Sequence, residues 1–128
     1  MSLAQGLADL AARIGRELKA RVVPEHPGLA RAWVNFGWAR GRLRLYAGYN
    51  IQKVLRLAPG RYRIVFAEPL ADAHYCWLAF ARSGDPALKL AIARTGIEDQ
   101  TADDLELACA TIAGTLADAD AIHLVVYR

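Results

Sequence analysis

The stretch Arg31-Ala32-Trp33-Val34-Asn35-Phe36-Gly37-Trp38 decides the fold. It is where the hydrophobic period changes. Upstream, Leu3, Leu7, Leu10 and Ile14 recur at spacings of four, three and four, which places them on one stripe of a helix. Within the stretch and beyond it, apolar residues recur at every second position, the period of a β-strand. Ala32, Val34 and Phe36 then share one face, and Trp33 and Asn35 the other. The chain reads as an N-terminal amphipathic helix over residues 1–23, a Pro-rich linker over 24–30 and an antiparallel β-sandwich over 31–128.

The helix has its own start signal. Ser2 stands at the capping position with Gln5 three residues on, as in a capping box. Its stripe fits two heptads of a coiled-coil seam, and equally a lone helix lying on its own domain or on a partner. So short a helix is marginal alone in water, and Gly6 and Gly15 weaken it further, so the stripe needs cover. Self-association through Leu3, Leu7, Leu10 and Ile14, as a trimer, is the expected use. Pro24 ends the helix by about Val23, and Pro24, Pro27 and Gly28 make the connector. His26 within it is expected to be solvated.

Downstream, the turn signals space out the strands. Gly37 to Gly41 reads as a turn that exposes Trp38. Arg42-Leu43-Arg44-Leu45-Tyr46-Ala47 alternates strictly, with leucines inward. Gly48-Tyr49-Asn50 marks a bend or bulge. Ala58-Pro59-Gly60 closes a hairpin between Gln52–Leu57 and Arg61–Phe66. Ala73 to Arg82 is a long strand, apolar on both faces and so expected to be covered on both sides. Leu88, Leu90 and Ile92 alternate in a further strand. Asp104 to Ile112 fits a strand better than a helix, and Ile122 to Tyr127 is the last strand. About eight short strands read as a β-sandwich.

Length and composition set the outer bounds. With 128 residues, 55% apolar and 23% charged, one globular domain with a core of its own is expected. No apolar run is long enough to cross a bilayer, and Asp9, Arg13 and Arg16 break any signal-peptide pattern. A soluble chain made in the cytoplasm is expected, without membrane insertion. Cys76 and Cys109 lie in apolar runs without metal-ligand spacing and read as buried free thiols, with a disulfide left open.

The net charge of +3 is unevenly spread. Arg31 to Phe66 holds eight Lys or Arg and no carboxylate, whereas Ala67 to the end holds ten acids against four bases. Two uses are open. The halves pair across strands or subunits, or the basic half is a face for an anionic partner such as the phosphate and uronic groups of surface polysaccharide. Nucleic acid is not expected, for no recognition helix or RNA-binding motif is present.

No chemistry-bearing constellation stands out. His26, His74 and His123 lie in separate segments without ligand spacing, and no metal or other cofactor is expected. Glu98-Asp99 and Asp103-Asp104 lack the spacing of a calcium loop. Ser83-Gly84-Asp85 is no nucleophile elbow, and no phosphate-cradling glycine loop occurs. An enzyme is not expected. Of Trp33, Trp38, Tyr46, Tyr49 and Trp77, Trp38 is the best candidate for stacking on a sugar.

Several motifs do recur in order: Ala32-Trp33-Val34-Asn35-Phe36, Tyr49-Asn50-Ile51, Gly60-Arg61-Tyr62-Arg63-Ile64-Val65-Phe66, Asp72-Ala73-His74-Tyr75 and a closing Tyr127-Arg128. The series resembles the C-terminal β domain of tail-fibre and related virion proteins of tailed bacteriophages and prophages. Leu7-Ala8-Asp9-Leu10 onward is similar to the opening helix of small phage virion proteins. The turns Gly37-Trp38-Ala39-Arg40-Gly41 and Ala58-Pro59-Gly60 depart from that family's Asn-Gly-Thr-Gly. The resemblance implies a trimeric sandwich on a phage or phage-like particle, without cofactor, in a structural or receptor-binding role. Trp77 and its strand would supply subunit contacts. Trp38, Arg40, Arg42, Arg44, Arg61 and Arg63 would bind host-surface glycan, and the helix would bind other particle proteins. A decoration or adaptor subunit and a free-standing carbohydrate-binding module are the alternatives.

Overall fold

The structure is a computed structural model that describes residues 2–21, 26–84, 87–93, 96 and 100–128. It has one helix, α1 (Leu3–Arg21), and eight strands: β1 (Ala30–Ala39), β2 (Arg42–Tyr49), β3 (Ile51–Ala58), β4 (Arg61–Phe66), β5 (Cys76–Arg82), β6 (Lys89–Ile92), β7 (Asp104–Thr111) and β8 (Ala121–Tyr127). The strands form two four-stranded antiparallel sheets, in the orders β2-β1-β8-β5 (sheet A) and β3-β4-β7-β6 (sheet B). The expected class, a β-sandwich preceded by one helix, is the observed one.

Alternation builds the core. Ala32, Val34 and Phe36 of β1 and Ile122, Leu124 and Val126 of β8 face Tyr62, Ile64 and Phe66 of β4 and Leu105, Leu107 and Cys109 of β7 in one buried cluster. Phe36 meets Tyr62 edge to face at 5.1 Å, and Phe66 meets Tyr75 at 5.6 Å, arrangements that favour aromatic pairs beyond their buried area. The alternation in β7 is what puts Leu105, Leu107 and Cys109 inside, and it carries the strand through Thr111.

Two glycines fix how the sheets close. Gly60 has φ +72°, and a Cβ there would overlap the backbone of Cys109 and Ala117. Gly37 is extended, but a Cβ on it would overlap the Asp120 carbonyl. It therefore serves close backbone approach, not a turn. This corrects the expected turn over Gly37 to Gly41: β1 runs on to Ala39, and the reversal is the two-residue pair Arg40 (φ 53°) and Gly41 (φ 72°). Two positive φ values suit the twist of an antiparallel hairpin. Asn50, also at positive φ (56°), carries the chain from sheet A to sheet B.

The strand expected over Ala73 to Arg82 begins only at Cys76. Asp72 Oδ1 accepts the His74 N–H at 2.8 Å, and Gln100 Nε2 donates to the carbonyls of Ala73 and Tyr75 at 2.9 and 3.0 Å. These side chains occupy the backbone groups that a ladder would use. Cover on both faces is expected of this strand, with a subunit interface as one source, and within one chain only the inward face has it. β5 is the edge of sheet A, and its outward residues Cys76, Leu78 and Phe80 are exposed.

The helix starts as expected, with Gln5 N–H donating to Ser2 Oγ at 3.1 Å. Leu3, Leu7, Leu10 and Ile14 are each at least 50% exposed, and Leu18 extends their stripe by one more turn. No helix among the described residues is long and apolar enough to cross a membrane. Residues 22–25 of the linker, the Glu98-Asp99 pair and Asp85 beside Ser83 lie outside the described residues.

Candidate functional site

The six residues expected to form one glycan surface fall on two sheets. Trp38, Arg40, Arg42 and Arg44 belong to the β1–β2 hairpin of sheet A, whereas Arg61 and Arg63 lie on the outward face of β4 in sheet B. Trp38 is half-buried and not displayed on a turn. It pairs with Leu43 across the hairpin, and the Arg56 guanidinium covers its ring at 3.9 Å from the centroid.

That guanidinium is the centre of a closed network. Arg56 forms a forked pair with Asp118, Nη2 to Oδ2 at 2.7 Å and Nε to Oδ1 at 3.2 Å. Asp118 Oδ1 also accepts the Gly60 N–H at 3.0 Å and the Tyr62 hydroxyl. Burial pushes the Asp118 carboxyl up, but the hydrogen bonds from Arg56, Tyr62 and Gly60 outweigh it and hold it below the ordinary carboxylate value. Burial, then the neighbouring Asp118, raises the Tyr62 phenol far above its usual range. Arg56, the Gly60 N–H and the Tyr62 hydroxyl all donate to this one carboxylate. The network ties the β7–β8 connection to the β3–β4 hairpin, and it also explains why Trp38 is not free to stack on a sugar.

Charge on sheet B is likewise internally matched. Arg61 Nε donates to Glu106 Oε1 at 2.8 Å, and Arg63 lies directly across from Glu106 in the ladder. Part of the basic half therefore pairs across strands with the acidic half. Arg40, Arg42 and Arg44 differ. Among the described residues they have no ion pair, and all three are exposed on one hairpin. With Arg63, which is exposed on sheet B and likewise has no ion pair among the described residues, they are the cations of the predicted set left open to an external anion.

A second ordered region lies where the linker joins the sandwich. Arg128 grips Asp72 in a fork, Nε to Oδ1 at 2.9 Å and Nη2 to Oδ2 at 2.7 Å. The Arg128 side chain, with the His74 N–H, holds the Asp72 carboxyl well below the usual carboxylate range. Arg31 Nε donates to the Arg128 carbonyl at 3.0 Å, and Asn50 Nδ2 donates to the Arg31 and Glu68 carbonyls, both at 3.1 Å. A cleft of about 760 Å³ opens beside these groups, bounded by Leu29, Tyr49, Glu68 and Leu70 among others. The sequence singled out Asp72, Asn50 and Arg128 as motif letters. Their shared task, fastening the loop after β4 and the end of β8 to the start of β1, needed the register to be seen.

Both cysteines are free, but only Cys109 is buried, where desolvation pushes its thiol up to about 11. Cys76 is exposed on β5, contrary to the expectation of two buried thiols. Trp77 also departs from expectation. It packs inward against the core and donates to Gln100 Oε1 at 3.0 Å, so it is not at the surface. Its neighbours along the strand, Cys76, Leu78 and Phe80, point outward and are exposed.

Those neighbours belong to an apolar sheet face. Residues directly opposed in a ladder project to the same side. One row across sheet A is Tyr49, Trp33, Val125 and Leu78. The next is Ala47, Asn35, His123 and Phe80, and Phe80 stacks on the His123 ring at 4.6 Å. Tyr127 and Cys76 begin a third row at the linker end. Leu78 and Phe80 are 68% and 61% exposed, and no carboxylate stands in these rows. At the centre of the face, Asn35 Oδ1 and His123 Nε2 are shielded from solvent without a hydrogen-bond partner.

The three histidines lie apart, with His26 Nδ1 accepting the Gly28 N–H at 3.0 Å, and no His, Cys, Asp or Glu cluster among the described residues is arranged to hold a metal ion. No family model, no curated protein and no solved structure matches this chain.

Proposed function

We propose that this chain is a self-associating structural subunit, a homotrimer, of a tailed-phage or phage-like particle, a tail or head fibre component. One observation carries the reading: a single chain presents two uncovered apolar surfaces, the α1 stripe and the outward face of sheet A. A sandwich that works alone in water ordinarily turns polar residues outward on a solvated sheet. The ordered motifs from Ala32 to Tyr75, with the Arg128–Asp72 fork joining two of them, agree with the virion resemblance.

Attachment to an anionic host polysaccharide rests on the β1–β2 hairpin, with Arg40, Arg42 and Arg44 as the contacting cations. Arg61 is spent on Glu106. The adaptor reading, in which basic strands pair with acidic neighbours, draws support from that same pair and from Arg56–Asp118.

The test is particle composition. Particles from the encoding organism should contain the chain and should lose it when residues 1–21 are deleted, with the β domain still folded in the soluble fraction. Absence of the intact chain from every particle fraction would overturn the reading. An array of bacterial surface polysaccharides, read at low and high salt, separates attachment from adaptor: salt-sensitive binding supports the first, none the second.

A further inference from the structure

We propose that the two uncovered apolar surfaces are each other's partner: α1 of one copy lies on the outward face of sheet A of the next. The inference rests on the self-association above and names the contact that makes it.

The period of the α1 stripe is not that of a sustained coiled coil. A coiled coil needs apolar residues at alternating spacings of three and four, which keeps a 3.5-residue repeat. After Leu3, Leu7, Leu10 and Ile14 that rule calls for an apolar residue at position 17. Glu17 stands there, in an ion pair with Arg13, and the stripe passes to Leu18 instead. The last two steps are both four, so the stripe leaves the 3.5-residue repeat and drifts the opposite way around the helix from a left-handed coiled-coil seam. An amphipathic stripe with no sustained heptad suits a sheet surface, the layer arrangement of helix on sheet.

Helix and sheet also match in size. At 19 residues, α1 is about 28 Å long. The longest strand beneath the proposed contact, β1 with 10 residues, spans about 33 Å. The face is rich in bulky groups that a helix can lie across: Trp33, Tyr49, Val125, Leu78 and Phe80. It has no carboxylate to be stranded beneath a helix, and Asp9, Arg13, Arg16 and Lys19 lie off the stripe, on the side that would remain in water.

The tether to the helix starts at the same face. Ala30, the first residue of β1, pairs with Tyr127, and Tyr127 pairs with Cys76. The chain therefore leaves the sandwich at the end of the apolar face itself, and the stretch from Arg21 to Ala30 reaches at most about 30 Å. The stripe is uncovered on its own chain, so in the assembly proposed above a neighbouring copy supplies the sheet. Such a contact joins two different patches and repeats from copy to copy, and in a trimer its rotation closes the ring. Pairing helices alone would leave sheet A bare, and pairing sheets alone would leave α1 bare.

The experiment uses two full-length variants, Leu10→Glu and Leu78→Glu, with masses read by sedimentation velocity. Both positions are over half exposed, so neither substitution enters the core, and circular dichroism confirms the fold. Each variant alone should be monomeric. Mixed in equal amounts they should form a dimer of one copy of each, because the first keeps its sheet and the second its helix. If Leu78→Glu alone keeps the wild-type mass, α1 pairs with α1 and the inference is overturned. A mixture that stays monomeric overturns it as well. A monomeric wild-type chain would sink the self-association reading itself, which separates the two failures.

Discussion

The two outward faces of the sandwich are built by the same alternation and end in opposite states. On sheet B the outward rows carry Lys53, Arg63 and Arg61 beside Asp104 and Glu106 at their centre, with exposed Leu55 and Leu57 on edge strand β3 and Leu90 and Ile92 on edge strand β6. On sheet A the outward rows are Tyr49, Trp33, Val125 and Leu78, then Ala47, Asn35, His123 and Phe80. Sheet B shows a partly finished solvent face: opposite charges stand across the ladder, and Arg61 is paired with Glu106. Sheet A lacks that finish. The difference is informative because both faces belong to one domain and one core, so composition in general does not account for it. A face without charge pairs, with two shielded polar atoms unpartnered at its centre, is built for contact.

The largest expected effect breaks sheet A. Leu78→Glu with Phe80→Lys should convert the assembly to monomers with unchanged circular dichroism, a loss of about two-thirds of the mass of a trimer. The same double exchange on sheet B, at Leu55 and Arg63, should leave the mass unchanged. If both faces behaved alike, the contrast between them would be void.

Next comes the end of the sandwich that joins the two sheets. Gly60→Ala forces a Cβ into the Cys109 and Ala117 backbone at positive φ, and should cost more than about 3 kcal/mol or prevent folding. Asp118→Ala strands the Gly60 N–H and the Tyr62 hydroxyl, and should cost about 2–3 kcal/mol in urea unfolding. These changes act on both faces equally. A selective loss of assembly without loss of stability would contradict the structural role given to this network.

Acid should act in the same place. The Asp118 and Asp72 carboxyls both titrate below their ordinary value in the folded chain. Their stabilisation is therefore present above the unfolded carboxylate value of about 3.9, and it is lost as pH falls through the lower folded values. Stability should fall below about pH 4, and the double variant Asp72→Asn, Asp118→Asn should be weaker at neutral pH but flatter through that window. An unchanged slope would mean that neither carboxylate is held as the geometry indicates.

Smallest is the charge pair of sheet B. Arg61→Ala removes a partly exposed ion pair with Glu106 and should cost about 1 kcal/mol or less, more weakly still at high salt. By contrast Arg42→Ala and Arg44→Ala, which break no ion pair among the described residues, should leave stability alone and reduce binding to an anionic polysaccharide. Equal stability losses at Arg61 and Arg42 would erase the distinction drawn between spent and open cations.

The fold was largely legible because the period of two survives in β1, β4, β5, β6 and β8 and the hairpin at Pro59-Gly60 has its own chemistry. In β2 it does not, for Leu45, expected inward, is exposed past the bulge opposite Asn35 and Phe36. The Ser2 cap and the inward set Tyr62, Ile64 and Phe66 follow from the same local rules. What misled were residues whose reason is a long-range approach. Gly37 looks like a turn glycine, yet it is small because Asp120 passes beside it. Trp38, flanked by glycines, looks exposed, yet Arg56, eighteen positions away, covers it. Ala73 to Tyr75 alternates like strand, yet Asp72 and Gln100 take its backbone groups. The apolar doubling of β5 was visible in the letters. Only the sheet order showed that its outward half stands at an edge beside Val125, Trp33 and Tyr49. The six proposed glycan residues could not be sorted into open and spent without knowing which acids stand across from them.

The most direct measurement is the mass of the intact chain in solution, by sedimentation equilibrium across a wide concentration range. The account predicts a trimer, about three times the 14.0 kDa chain mass, that persists on dilution and is lost in Leu78→Glu. A monomer at every concentration, with sheet A and the α1 stripe bare in water, would contradict it.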